Sequence, residues 1–242
     1  RRVGDLKVVA SLYHTPSGFD EMYPSVAVLT SILADDTAGR LQKTLVKKNL
    51  AANASGFGFQ WAEPGVIIFM AELGIDKEIE PARVAMLETL ENVAQNPITE
   101  EEVERAKAKF AKHFELRFNS SQSIALELSE WIGMGDWRLM FLDRDRTEQV
   151  TTDMVNRAAA EYLVNDNRTL GLFVPEQAPD RADSIVRLQR SDAAAMLAGY
   201  QGRKAVAQGE DFDPSHDNID QRTTTRQLDN GAEAAYLAKK TR

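Results

Sequence analysis

Cysteine is absent from the 242 residues, and histidine occurs only three times. The first absence excludes structural disulfides, thiolate zinc sites and iron–sulfur clusters. It leaves the compartment open, because a cysteine-free chain suits cytosol and periplasm equally. Long apolar runs are missing too, and none approaches the roughly 20 residues that a membrane helix needs. Nor is there an excess of positive charge: 29 Lys and Arg stand against 37 Asp and Glu, a net of −8. No basic stripe offsets this, so the chain repels phosphate backbones and nucleic acid is not expected as a partner. The basic start, Arg1-Arg2-Val3-Gly4-Asp5, is not followed by an apolar h-region and does not read as a signal peptide. There is no initiator methionine, and Lys239-Lys240-Thr241-Arg242 comes straight after a strand-like stretch. Both ends therefore read as those of a piece of a longer chain.

What is present is ordinary globular material, 43% hydrophobic and 27% charged, enough to bury a sizeable core. Leu6–Tyr13 is a β-rich stretch stopped by Pro16-Ser17-Gly18, and Glu21–Leu33 carries Met22, Val26, Leu29 and Leu33 at helical spacing. Arg40–Asn49 reads as a second helix. Ala51–Trp61 and Val66–Leu73, joined by Glu63-Pro64-Gly65, read as a hairpin. Helices are expected over Glu80–Gln95, after Thr99, over Ser121–Ile132, and from Thr151 to Leu163. Thr99 and Glu102 have the spacing of a capping box. Thr169–Val174 is a short strand. After Pro175 the character changes: Gln177–Gln208 is rich in alanine and charge, Gly209–Asp220 reads as an acidic loop, and Gln227–Leu237 holds Asn230-Gly231. Adjacent hairpin strands and blocks of helices argue for an α+β (two-layer) fold, a largely antiparallel sheet with helices packed on one face.

Several short stretches, in order, carry a resemblance. Val8-Val9-Ala10-Ser11-Leu12-Tyr13-His14-Thr15-Pro16 with Asp20, Gly39-Arg40-Leu41-Gln42-Lys43-Thr44-Leu45-Val46, and Ile98-Thr99-Glu100-Glu101-Glu102-Val103 are followed by Val150-Thr151-Thr152-Asp153-Met154-Val155 and Tyr162-Leu163. Each is generic alone, but the set resembles the C-terminal type, non-zinc domain of the M16 (pitrilysin, insulinase, processing peptidase) family of zinc metallopeptidases. The resemblance implies the LuxS/MPP-like metallohydrolase fold over residues 1–176. It also implies that residues 177–242 are a helical and acidic linker plus the first strands of a following M16 domain, since Gln227–Arg242 is similar to such a strand pair. The chain would then be the second of four successive domains and the threshold of the third.

The chemistry of that family rests on a helix reading H-x-x-E-H, whose histidines hold zinc and whose glutamate activates water. His14, His113 and His216 do not build it, since His113 is followed by Phe-Glu-Leu-Arg. The family's other element, an arginine and a tyrosine seven residues apart in the non-zinc half, falls on Val46 and Asn53, neither of which can clamp a carbonyl. His14 reads as a structural residue at a strand end, and His113 as one at the edge of the core. Asp211, Asp213 and Asp217 lack the glycine and the final glutamate of an EF-hand loop, Arg222 standing in the latter place. Gly56-Phe57-Gly58-Phe59 lacks the spacing of a dinucleotide fingerprint and reads as close backbone approach. Ser120, Ser121 and Ser129 have no histidine at a motif-like spacing.

The expectation is therefore a segment with no catalytic, cofactor-binding or metal-binding residues of its own. The resemblance implies a parent that is a zinc metalloendopeptidase degrading peptides or small proteins, with zinc in the preceding domain. This segment would pack on that domain and form part of a chamber wall, without a membrane span. The alternative is a non-peptidase M16-like scaffold or assembly subunit. For compartment, the resemblance leans only towards the periplasm, and only for a bacterial parent.

Overall fold

The computed structural model describes residues 4–176, 193–202 and 209–240. The chain divides into two compact units, residues 1–182 and 183–242. In the first, β1 (Leu6–His14) is followed by α1 (Tyr23–Ala34), β2 (Asn53–Phe59) and β3 (Val66–Gly74). Five helices come next: α2 (Ile79–Glu91), α3 (Glu100–Arg117), α4 (Ser121–Gly133), α5 (Leu139–Glu148) and α6 (Thr152–Tyr162). β4 (Arg168–Phe173) closes the unit. The strands form one antiparallel sheet in the order β2-β3-β1-β4, with Leu12 opposite both Ile68 and Thr169.

Strict alternation along β1 and β3 decides which face is covered. Val9, Tyr13, Ile67, Phe69 and Leu73 point to one side and are fully or almost fully buried. α1 and α2 lie on that side, and α3, α5 and α6 contact α1 in turn. α1 is buried almost all round, through Val26, Leu29, Ile32 and Leu33 and even Ser25 and Thr30, because it has the sheet beneath it and helices above. A second tie reaches from helix to sheet: Tyr13 Oη donates to Glu91 Oε1 at 2.9 Å, and Arg168 pairs with the same oxygen at 2.5 Å.

The segment expected as an ordinary helix over Arg40–Asn49 is different. Arg40 and Leu41 open it, but Gln42–Val46 is a π-helical turn, with the Lys47 N–H donating to Gln42 O at 3.0 Å and the Leu50 N–H to Leu45 O at 2.8 Å. Leu41 and Leu45 both lie in the core, and Asn49 follows with φ at 57°. The helix expected to Gln95 stops at Glu91, after which the chain folds back so that the Asn96 and Pro97 carbonyls face Arg40. α5 has no counterpart in the expected order of elements. Its approach is set by Asp136, which accepts from the Arg138 N–H at 2.8 Å.

Arg40 and Glu102 form a buried pair. The guanidinium donates to both carboxylate oxygens, at 2.9 and 2.7 Å, and to the carbonyls of Asn96 and Pro97, at 2.5 and 2.7 Å. Glu102 also completes the capping box expected from its spacing: Thr99 Oγ1 accepts from the Glu102 N–H, and Glu102 Oε2 accepts from the Thr99 N–H at 3.0 Å. Burial alone would raise this carboxyl, but Arg40 and the Thr99 N–H outweigh it and hold its pKa at about 2.

In the second unit, α7 (Ala193–Leu197) lies within the stretch Gln177–Gln208, most of which falls outside the described residues. The stretch Gly209–Asp220, expected as a loop, turns helical at α8 (His216–Arg222), where Asp213 accepts from the Ser215 N–H at 2.9 Å and its carbonyl from Asn218. β5 (Thr223–Gln227) and β6 (Glu233–Leu237) pair as a hairpin, and Gly231 supplies a positive φ of 82° in its turn. Arg222 pairs with Glu210 at 2.9 Å and donates to Ala238 O.

Arg40→Ala strands the Glu102 carboxylate, and a denaturant titration is expected to show a loss of about 3–5 kcal/mol. Arg40→Met combined with Glu102→Gln should lose less. Because Glu102 titrates lower in the folded state than in the unfolded one, its contribution is full above about pH 5 and fades as pH falls towards 2.

Candidate functional site

β2 is an edge strand, paired with β3 and with no second strand among the described residues. Its two faces differ. Ala54, Gly56 and Gly58 stand opposite the buried Ala71, Phe69 and Ile67, on the side the helices cover. A Cβ at Gly56 would come within 2.5 Å of Phe69 and 2.8 Å of Ala34, so α1 can lie this close only over glycine. Phe57 and Phe59 lie on the bare side, their rings 5.4 Å apart, and Trp61 continues the row at 5.1 Å from Phe59. All three are exposed.

Two hollows adjoin this strand. A groove of about 330 Å³ runs between β2, α1 and α3, lined by Ser31, Asp35, Gly58 and Lys109 among others. Lys109 Nζ donates to Asp35 Oδ2 at 2.9 Å, and Asp35 Oδ1 accepts from the Ala38 and Thr37 N–H groups; these contacts, the Ala38 N–H first, hold the Asp35 pKa at about 2. A cavity of about 290 Å³ lies among α1, α3, α4 and α5. The two share Tyr23, Ala27, Gln60 and Phe110 as walls and so adjoin one another.

Asp143, on α5, lines the cavity. Its Oδ1 accepts from Gln60 Nε2 at 3.2 Å, and the same nitrogen donates to Gly18 O at 2.8 Å. Burial pushes its pKa up to about 6, with Gln60, Arg117 and Arg146 pulling against it. Tyr23 is likewise raised, first by burial and then by the charge of Asp143. Opposite, Trp131 Nε1 donates to Glu127 Oε1 at 3.2 Å, and Arg117 pairs with Glu127 at 2.5 Å.

The residues singled out in the sequence are scattered. His14 is exposed at the end of β1, where its carbonyl accepts from Asn167. His113 was expected at the edge of the core but faces solvent on α3, because the buried side of that helix is set by Val103 and Ala106. His216 opens α8 in the second unit. Val46 packs half-buried against the core and Asn53 is exposed at the start of β2. Ser120 caps α4 by accepting from the Ser123 N–H, and Ser129 donates to Leu126 O. Asp213 serves the turn before α8. Among the described residues no three His, Asp or Glu side chains gather to hold a metal ion, and no helix is long and apolar enough to cross a membrane.

Gln60 and Asp143 escaped the sequence reading. No motif joins two residues 83 positions apart; the sole local signal was the apolar start of α5, Leu139-Met140-Phe141-Leu142, after Asp136.

Residues 3–110 match the family model of the peptidase M16 inactive domain. The crystal structure of the inactive peptidase domain of a protein assigned as a zinc protease, from Bordetella parapertussis, is 37% identical, with a TM-score of 0.69 over 74% of this chain and 98% of that one. A second structure of a protein so assigned, from Bordetella pertussis Tohama I, is 36% identical, with a TM-score of 0.67 over 71% of this chain and 96% of that one. Zinc protease PqqE of Helicobacter pylori is 25% identical over 177 residues, which are 70% of this chain and 38% of that protein. The chain belongs to the peptidase M16 family and carries its inactive, C-terminal type domain. It spans well under half the length of the curated relative.

Asp143→Asn keeps the bond from Gln60 and removes a desolvated charge. Its folded pKa lies above the unfolded one, so native stability should decline as pH rises from about 4 through 6. Thermal melts should therefore show the variant more stable than the native chain at pH 7.5, with the gain gone at pH 4. Gly56→Ala should destabilise by about 1–3 kcal/mol by forcing α1 off β2.

Proposed function

We propose that this chain is a non-catalytic part of a zinc metalloendopeptidase of the M16 family, one that packs on the zinc-bearing domain of the same parent and forms part of the wall enclosing peptides or small proteins. The observation that carries this reading is the one-sided sheet. Val8, Ala10 and Leu12 on β1, Ile68 and Met70 on β3, and Phe57 on β2 alternate with the core residues and stand half-exposed or exposed, with no helix of the first unit over them among its described residues. A contiguous apolar surface of this kind marks an interaction site. Most of the length of the curated relative lies outside the stretch this chain matches, so a further domain of the parent is the occupant.

The free edge of β2 supports the second half of the proposal. An edge strand offers backbone N–H and C=O groups to an extended peptide, which can add as a further strand. Zinc and the water-activating glutamate are assigned to the partner domain. The domain boundary is proposed near residue 176, with residues 177–242 as linker and the start of the next domain.

The full-length parent tests this. Leu12→Glu with Ile68→Glu should abolish peptide hydrolysis while zinc stays bound, because the interface is lost and the metal site is not. The isolated chain should bind no zinc and cleave no peptide. Stoichiometric zinc on this chain alone, or full activity of the double variant, would sink the proposal.

A further inference from the structure

The cavity between α3, α4 and α5 has walls of one character and charges of another. Its apolar lining includes the rings of Phe110, Phe114 and Trp131, beside Met134 and Met140. Its cations are already engaged: Lys107 with Glu104 at 2.9 Å, Arg117 with Glu127 at 2.5 Å, and Arg144 with Asp145 at 2.6 Å. Among the described residues, the lining carboxylates of Asp143, Glu130 and Glu148 have no such ion pair. The lining groups left without an ion pair are therefore carboxylates, and the half-buried one is Asp143.

The wall already accepts a guanidinium. Arg144 lies 5.1 Å from the Phe114 ring centre and 5.4 Å from that of Phe141. A planar cation of this type stacks on aromatic rings and meets a carboxylate with two parallel hydrogen bonds, which an ammonium does not. The volume of about 290 Å³ sits at the low end of the range of small-ligand sites, so it suits one long side chain rather than a larger ligand. The cavity also adjoins the groove beside the free edge of β2 through Tyr23, Ala27, Gln60 and Phe110. A chain lying along that edge can thus turn one side chain inward.

We propose that this cavity binds the side chain of an arginine carried by an extended peptide, with Asp143 as its carboxylate partner and the aromatic wall as its stacking surface. For the source of the arginine this deepens, and rests on, the peptide-enclosing role proposed above; the cavity's affinity for a guanidinium does not depend on it. Binding is coupled to the proton on Asp143. The groups facing that carboxyl are Arg117 from α3, Glu127 from α4, Arg146 from its own helix, Tyr23 from α1 and Gln60 after β2. Of these, Glu127 is itself held by Arg117.

The test is calorimetric titration of the 242-residue chain with Nα-acetyl-arginine amide, and with an extended octapeptide containing one arginine or, in its place, the neutral isostere citrulline. The arginine probe should bind at least tenfold more tightly than its citrulline counterpart, and more tightly at pH 7.5 than at pH 5. Asp143→Asn should remove most of that difference. As this variant is expected to be at least as stable as the native chain at pH 7.5, loss of binding there does not report unfolding. The peptide should bind more tightly than the capped amino acid. Equal binding of arginine and citrulline probes, or binding that survives Asp143→Asn, overturns the site. A peptide no tighter than the capped arginine overturns the peptide assignment. Neither result bears on zinc retention in the full-length parent, so failure here is distinct from failure of the enclosing role.

Discussion

The buried pair of Arg40 and Glu102 ties together parts of the first unit that lie far apart in the sequence. One guanidinium reaches the carboxylate and two carbonyls of the turn after α2, and the same carboxylate caps α3. Removing two charges from water is unfavourable, and it is tolerated here because both ends are saturated with hydrogen bonds. The consequence is geometric. The π-helical turn, the 92–99 connection and the first turn of α3 share one fixed point, and α3 then supplies a wall to both hollows beside β2.

Around that point the unit is asymmetric. One side of the sheet carries two layers of helix, and the other carries no helix of the first unit among its described residues, although its centre is apolar through Val8, Leu12, Ile68 and Met70. Burial of such a face is worth roughly 25 cal/mol per Å², so leaving it open is costly unless something covers it. The glycines of β2 add to the asymmetry: Gly56 brings α1 so close that the edge, the groove and the cavity form one continuous region.

Much of the fold was legible. The hairpin of β2 and β3 followed from Glu63-Pro64-Gly65, α3 from Thr99 and Glu102, and α6 from the cap at Thr151. These are local signals, written in neighbours a few residues apart. The π-helical turn was not legible, because its apolar spacing also fits an ordinary helix, and only the backbone bonds that span five residues distinguish the two. α5 was missed because its polar second half, Asp143-Arg144-Asp145-Arg146, shows no apolar stripe. The exposure of His113 was misread for a related reason, since Phe110 and Phe114 beside it suggested a broader buried face than α3 has.

By itself the sequence determined the family, the strands and most helices, and the scatter of three histidines that builds no H-x-x-E-H motif. Those properties depend on residue identity and short spacing, which a chain displays before it folds. Tertiary structure alone decided that Arg40 meets Glu102 across 62 positions and that Gln60 meets Asp143 across 83. It also decided which sheet face stays bare. Such contacts depend on how helices stack over the sheet, and no local pattern records that.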